Sequence, residues 1–234
     1  MQSTFRKSEK HAFILSSDDI SKIWKKLESF NKSVTASVSF NDSIVRNVES
    51  LSELLNFENS KSRKILRIEL QAVSSDRTNI TRVSFDDDQY NTVLISSSGA
   101  DDVVSKVAHD ISEIVNGLRP WYSRICRIDI GLLLISLLTV GFLIVTLMTP
   151  EPEKKKVLTF VETVKLIGLT TIFLLSLYYI HKAISVLKMK IFPIATFSIG
   201  QGLQRYEIHE NIRWGVVIAF VVSMASSFVY SLIT

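Results

Sequence analysis

The sequence holds a single cysteine, Cys126, among 234 residues. That excludes an internal disulfide and a cysteine-rich zinc site. Its place beside Arg124 and Arg127 suits a small apolar residue at a helix end, with a juxtamembrane acylation site as the sharper alternative. Glycine is scarce, and none precedes Gly99, so no Walker A loop or dinucleotide-binding fingerprint is available before that point. His11, His109, His181 and His209 stand singly, in no HExxH, HxH or Cys/His cluster, so a catalytic transition-metal site has no motif. No serine lies in GxSxG. Residues 1–10 are followed by an apolar run of only 11–15, too short for a secretory leader. The expectation is a protein that is not an enzyme and needs no cofactor or metal.

Charge is unevenly spread. Residues 1–127 carry 18 Lys/Arg and 17 Asp/Glu, whereas residues 128–234 carry 9 and 6. The mean hydropathy of +0.25 is therefore an average over a charge-dense half and an apolar half. The pI near 9.1 belongs mostly to cations flanking apolar runs, and the nearly neutral first half speaks against a nucleic-acid partner without excluding one.

Residues 130–149 contain no charge and, at about 1.5 Å per residue, reach across about 30 Å of hydrocarbon. Pro150 and Pro152 stop this run, and Glu151, Glu153, Lys154, Lys155 and Lys156 form a polar turn. A second run covers 166–180, extended upstream through 157–164, and a third covers 214–234. We expect three transmembrane helices at about 128–149, 158–182 and 214–234. Cations at 119, 124, 127, 182, 188, 190, 205 and 213 outnumber those in the turn. By the positive-inside rule this places the first domain in the cytoplasm of a cell with a plasma (inner) membrane, and the C-terminus outside. Trp121, Tyr122, Tyr178, Tyr179 and Trp214 suit interfacial belts.

Glu162 and Lys165 sit three apart on one helix face, with Thr163 beside them. Inside a span, such a pair would be a pore or gating candidate. A span starting only at Leu166 would leave both at the interface. Residues 183–213 form an elbow, where Pro193 interrupts helix and Gly200 and Gly202 bracket Gln201. The elbow reads as interfacial, re-entrant, pore-breaking or packed on the soluble domain, with a charged helix 203–213 running into the third span. Pro193, Gly200, Gln201 and Gly202 are the remaining gating candidates. Ser223, Ser226, Ser227 and Ser231 with Ala219 and Ala225 suit close helix approach, and hence a homo-oligomer.

In the first half, Ser17 caps a helix with Ile20, Ile23, Trp24, Leu27 and Phe30 on one stripe. Val34, Ala36, Val38 and Phe40 alternate with polar residues as a half-buried strand, and 43–48 forms another. Ser50 and Glu53 frame a capping box. Strands follow at 66–72, 80–85 and 92–97, then an amphipathic helix from Asp101 closed by Gly117 and Pro120. The order β-α-β-β-α-β-β-β-α gives an α+β domain, an antiparallel sheet with helices on one face, over residues 1–120. Residues 121–127 form the membrane-entry linker to the all-α membrane domain 128–234. Asp86, Asp87 and Asp88 read as a solvated turn. Lys64, Arg67 and Arg82 are candidates for a small anionic ligand, against the alternative of a solvated edge.

The layout resembles small bacterial membrane effectors of anti-phage defence, in which a cytoplasmic sensor domain governs a few transmembrane helices, while SIGQGLQRYE followed by IRWGVV is similar to segments of uncharacterised bacterial membrane proteins. The resemblance covers architecture alone and assigns no residue a role. It implies an oligomeric, ligand- or partner-gated channel or pore-forming effector in the lipid bilayer. A non-conducting membrane-anchored scaffold that recruits a cytoplasmic protein is the alternative.

Overall fold

The structure is a computed structural model and describes residues 1–30, 33–88, 90–148 and 159–233. The expected polar turn from Pro150 to Lys156 lies outside them. In chain order the elements are β1 (Gln2–Glu9), β2 (Phe13–Ser16), α1 (Ser17–Phe30), β3 (Ser33–Phe40), β4 (Val45–Val48), α2 (Leu51–Leu55), β5 (Ile65–Val73), β6 (Ile80–Asp86), β7 (Val93–Ala100), α3 (Asp101–Gly117), α4 (Ser123–Arg127), α5 (Ile130–Met148), α6 (Phe160–Ile191), β8 (Ala195–Ser198) and α7 (Gln201–Ile233). They fall into two compact units. One comprises Met1–Cys126 with Ile191–Thr234, the other Arg127–Lys190.

In the first unit six strands form one antiparallel sheet in the order β1-β7-β6-β5-β3-β4. Alternation sets its faces. Val34, Ala36 and Val38 pair in register with Ala72, Leu70 and Ile68, and Ile68 and Leu70 with Phe85 and Val83, so one face is continuously apolar. Helix α1 lays Ile20, Ile23, Trp24 and Leu27 on that face, and α3 lays Val104, Val107, Ile111 and Val115 there. Burying each large apolar side chain contributes about 1.5–3 kcal/mol before ordering costs. This is the α+β arrangement expected, with the helices on one face.

Two strands were not expected. β1 holds one apolar residue in QSTFRKSE, because an edge strand needs only a single inward anchor, and Phe5 supplies it. β8 comes from the elbow and pairs parallel with β2, so that Phe13 faces Ala195 and Leu15 faces Phe197 in register. The cap of α1 also differs. Ser16, not Ser17, takes the Asp19 amide on its hydroxyl at 3.2 Å, and Asp19 returns the bond by accepting from Ser16.

In the second unit, Asp129 Oδ1 accepts from the amides of Gly131 and Leu132 and so caps α5. α6 is one continuous helix of 32 residues. It runs beyond the expected end of the second span because 182–190 contains no breaker, and it stops two residues before Pro193. Among the described residues two helices are long and apolar enough to cross a membrane, α6 and the stretch Gln201–Ser231 of α7. The apolar stretch of α5, Gly131–Val145, is shorter. Of the three transmembrane helices expected, two thus have crossing length and the apolar stretch of the first is shorter.

Candidate functional site

The elbow residues are held by the loop that follows α2. Ser50 caps that short helix by accepting from the Glu53 amide at 3.3 Å, and the chain then leaves through Asn56 and Phe57. Glu58 presents its carbonyl to the Gln201 amide at 2.7 Å. Asn59 is buried and left-handed, at φ 45°, a conformation asparagine tolerates better than most residues. It makes three bonds. Its Nδ2 donates to Phe197 O at 2.8 Å, its Oδ1 accepts from the Ile65 amide at 2.9 Å, and its carbonyl accepts from Arg205 Nη2 at 2.7 Å. One residue thus ties β5 and β8 through its side chain and α7 through its carbonyl.

Gly200 and Gly202 are required by this clasp. Gly200 sits at φ 50°, and a Cβ there would overlap the Glu58 carbonyl. A Cβ on Gly202 would overlap Phe197 O and Asn59 Nδ2. Of the gating candidates, Gly200, Gln201 and Gly202 are therefore brought together around Asn59. Pro193 stands just upstream, where the Cys126 thiol donates to the carbonyl of its neighbour Phe192 at 3.3 Å.

Three turns further along α7 the helix is fastened a second time. Arg213 is fully buried. Its Nε and Nη2 donate to Glu210, and its Nη1 donates to Ile191 O at 2.9 Å. The guanidinium lies 4.5 Å from the ring centroid of Tyr122 and 5.5 Å from that of Tyr206. A buried guanidinium is tolerable only with this completeness of partners. Burial pushes the Tyr122 phenol up to about 12, partly offset by the charge of Arg213. Glu210 also accepts from Trp214 Nε1 at 3.0 Å, and the Trp214 ring stands 6.0 Å from that of Trp121. Beyond Trp214 the helix surface is exposed and apolar.

The other candidates lie apart from this joint. Glu162 accepts from the amide and hydroxyl of Thr159, at 2.9 and 3.0 Å, and Thr163 donates to the Thr159 carbonyl. Glu162 therefore helps cap the first turn of α6, and the spacing Thr159-x-x-Glu162 was the signal for it. Lys165 is exposed one turn on. Lys64 pairs with Asp87 at 3.0 Å, and Arg67 with Glu69 at 2.8 Å and Asp86 at 3.6 Å. Partial burial raises the Asp86 carboxyl, against the pull of Arg67. Arg82 lies on the same open face of the sheet as Arg67, in register with Gln71, four residues along β5 from Arg67, and with Ser96. Among the described residues no group of three or more His, Cys, Asp or Glu is placed to hold a metal ion.

Asn59 was invisible in the sequence because its role is set by chain crossings 138 residues apart. Arg213 was visible only as one of several cations near a span. Compared with family models, curated proteins and solved structures, the chain finds no match.

Proposed function

We propose that the chain is a multi-pass protein of the plasma membrane whose cytoplasmic domain controls an oligomeric channel or pore. The observation that supports this most is the continuity of α7. The helix starts in the Asn59 clasp, passes the Arg213 joint, and runs without interruption into an exposed apolar stretch. A rigid helix carries a rotation or tilt imposed at its root along its length, so a change in the domain reaches the bilayer directly.

The reading keeps three passes. Lys188 Nζ donates to Ile128 O at 2.6 Å, and a Cβ on Gly131 would press into the ring of His181. Together these contacts run α5 antiparallel to α6. The 19 residues of α5 are long enough, at about 1.5 Å each, to cross about 28 Å beside α6. An odd number of passes then puts the C-terminal end outside, in line with the distribution of cations. Small residues along the end of α7 support self-association.

The test is conductance. Purified chain in planar bilayers, or in dye-loaded vesicles, should pass ions or dye under some condition of the domain. If it conducts in no oligomeric state, the pore reading fails. Retention of cellular function after exchange of all apolar helices for an unrelated anchor would favour the scaffold.

A further inference from the structure

Between β4 and α2 the domain opens into a cleft of about 590 Å³ lined by Arg46, Asn47, Val48, Glu53, Asn56 and Phe57. That volume is in the range of small-ligand sites. Two of its walls rest on one ring. The Arg46 guanidinium lies 4.6 Å from the ring centroid of Phe40, and Phe57 meets that ring edge-on at 5.3 Å. Arg46 is incompletely bonded. Its Nη2 reaches Asp42 Oδ2 through a single long contact of 3.4 Å, whereas its Nη1 is buried with no acceptor among the described residues. A ring face attracts the charge, yet a buried N–H without an acceptor stays costly.

The local charge points the same way. The Ile44 amide lowers the Asp42 carboxyl, and the charges of Arg46 and Arg63 lower it further, against slight desolvation. Arg63 is exposed and forms no ion pair with any described residue, so two guanidinium groups share one carboxylate. Glu53 is exposed and solvated, and it pairs with neither cation. A further donor lies at the edge of the sheet. β4 is an edge strand, and the Phe40 amide donates to Ile44 O at 3.2 Å. Continued along the ladder, that alternation turns the backbone of Arg46 toward β3 and the Asn47 N–H away from it.

We propose that this cleft binds a small organic carboxylate, with a carboxylate oxygen on Arg46 Nη1 and the apolar body of the ligand against Phe57 and Val48. Because Asp42 holds the guanidinium by one long contact, a small turn of Arg46 presents Nη1 to an entering oxygen while the stack on Phe40 is kept. The Asn47 N–H supplies the second donor. One monoanion answers the charge that Arg46 and Arg63 leave over beside Asp42, and a phosphate dianion exceeds it. An ammonium group is the poorest occupant, since it adds a cation and offers Arg46 no acceptor. The site lies within the first unit and does not depend on the channel reading.

The test uses the full chain in a neutral detergent, with benzoate as the probe, benzamide as its neutral counterpart, and inorganic phosphate and putrescine as competitors. Calorimetry should give saturable binding of one benzoate per chain, with benzamide weaker by about tenfold or more. Neither phosphate nor putrescine should displace benzoate. Arg46→Met should weaken benzoate by about tenfold or more, since it removes the charged donor. Asp42→Asn keeps the oxygen that accepts from the Ile44 amide but removes the competing charge, and it should tighten benzoate. Glu53→Gln should not weaken it. Uptake of benzoate by micelles, or misfolding of one variant, cannot produce opposite shifts in Arg46→Met and Asp42→Asn. Affinity unchanged by Arg46→Met, equal affinity for benzamide, weakening by Asp42→Asn or Glu53→Gln, displacement by phosphate or putrescine, or no saturable binding overturns the proposal.

Discussion

Arg213 of α7 stacks its guanidinium 4.5 Å from the ring centroid of Tyr122, in the segment leading to α5. Both are completely buried, and the charge is completed by Glu210 and the Ile191 carbonyl. Glu210→Ala removes the one carboxylate that answers this charge and leaves the cation stranded. We expect a loss of about 3–5 kcal/mol in denaturant unfolding of the soluble domain within the full chain. Arg213→Met should cost less, because it removes the charge as well. Equal effects of the two substitutions would contradict the picture of a desolvated pair.

The same joint gives a pH dependence. The folded Tyr122 phenol sits at about 12 against an ordinary 10.0, through burial, so the folded state favours its protonated form. Stability from this group is complete below about pH 10 and is lost as pH rises through 12. Two pKa units correspond to about 2.7 kcal/mol. Absorbance titration of the parent chain should show a late-ionising phenol that is missing from Tyr122→Phe, whose alkaline unfolding curve should be flatter.

Gly202→Ala forces a methyl group into Phe197 O and Asn59 Nδ2. Overpacking of this kind costs about 1–3 kcal/mol, and here the relief route is release of α7 from the clasp. Limited proteolysis should cut near residues 199–202 faster in this variant, while the sheet core keeps its exchange protection. Unchanged cleavage would mean the clasp absorbs the methyl.

Gly215 has nothing within 4 Å of the position a Cβ would take, so substitutions there act on the helix itself. Gly215→Ala should stabilise α7 by up to about 1 kcal/mol. Gly215→Pro should break the helix just after Trp214, at about 3 kcal/mol. If α7 transmits the state of the domain, the proline variant keeps its folded domain by circular dichroism but loses regulated dye release.

Much of the domain was legible because its periods are clean. Val34 to Phe40 alternate, Ile20 to Leu27 follow a helical stripe, and a single buried face suffices to order both. β1 was missed because an edge strand needs little apolar content, and β8 because four residues carry no period. The elbow was legible as unusual through Pro193, Gly200 and Gly202, and packing on the first domain was one of its open readings, yet the strand that pairs with β2 was not legible. Its partners, Phe13 to Ser16 and Asn59, lie far away in the chain, and local pattern holds no record of them. For Lys64 and Arg67 the partners Asp87 and Asp86 come from the neighbouring strand and loop and were not legible, whereas Glu69, two residues on in the same strand, pairs with Arg67 locally.

The pairing of β2 with β8 has a consequence for biogenesis. β2 emerges from the ribosome about 180 residues before its partner β8, which follows α5 and α6. The ladder closes a loop of about 180 residues, an entropic cost met only once the late segment arrives. Until then the Phe13 and Leu15 positions lack the cover that Ala195 and Phe197 give them. The domain thus cannot reach its final fold before α5 and α6 have been synthesised, and its completion reports that the chain between the two strands has been made.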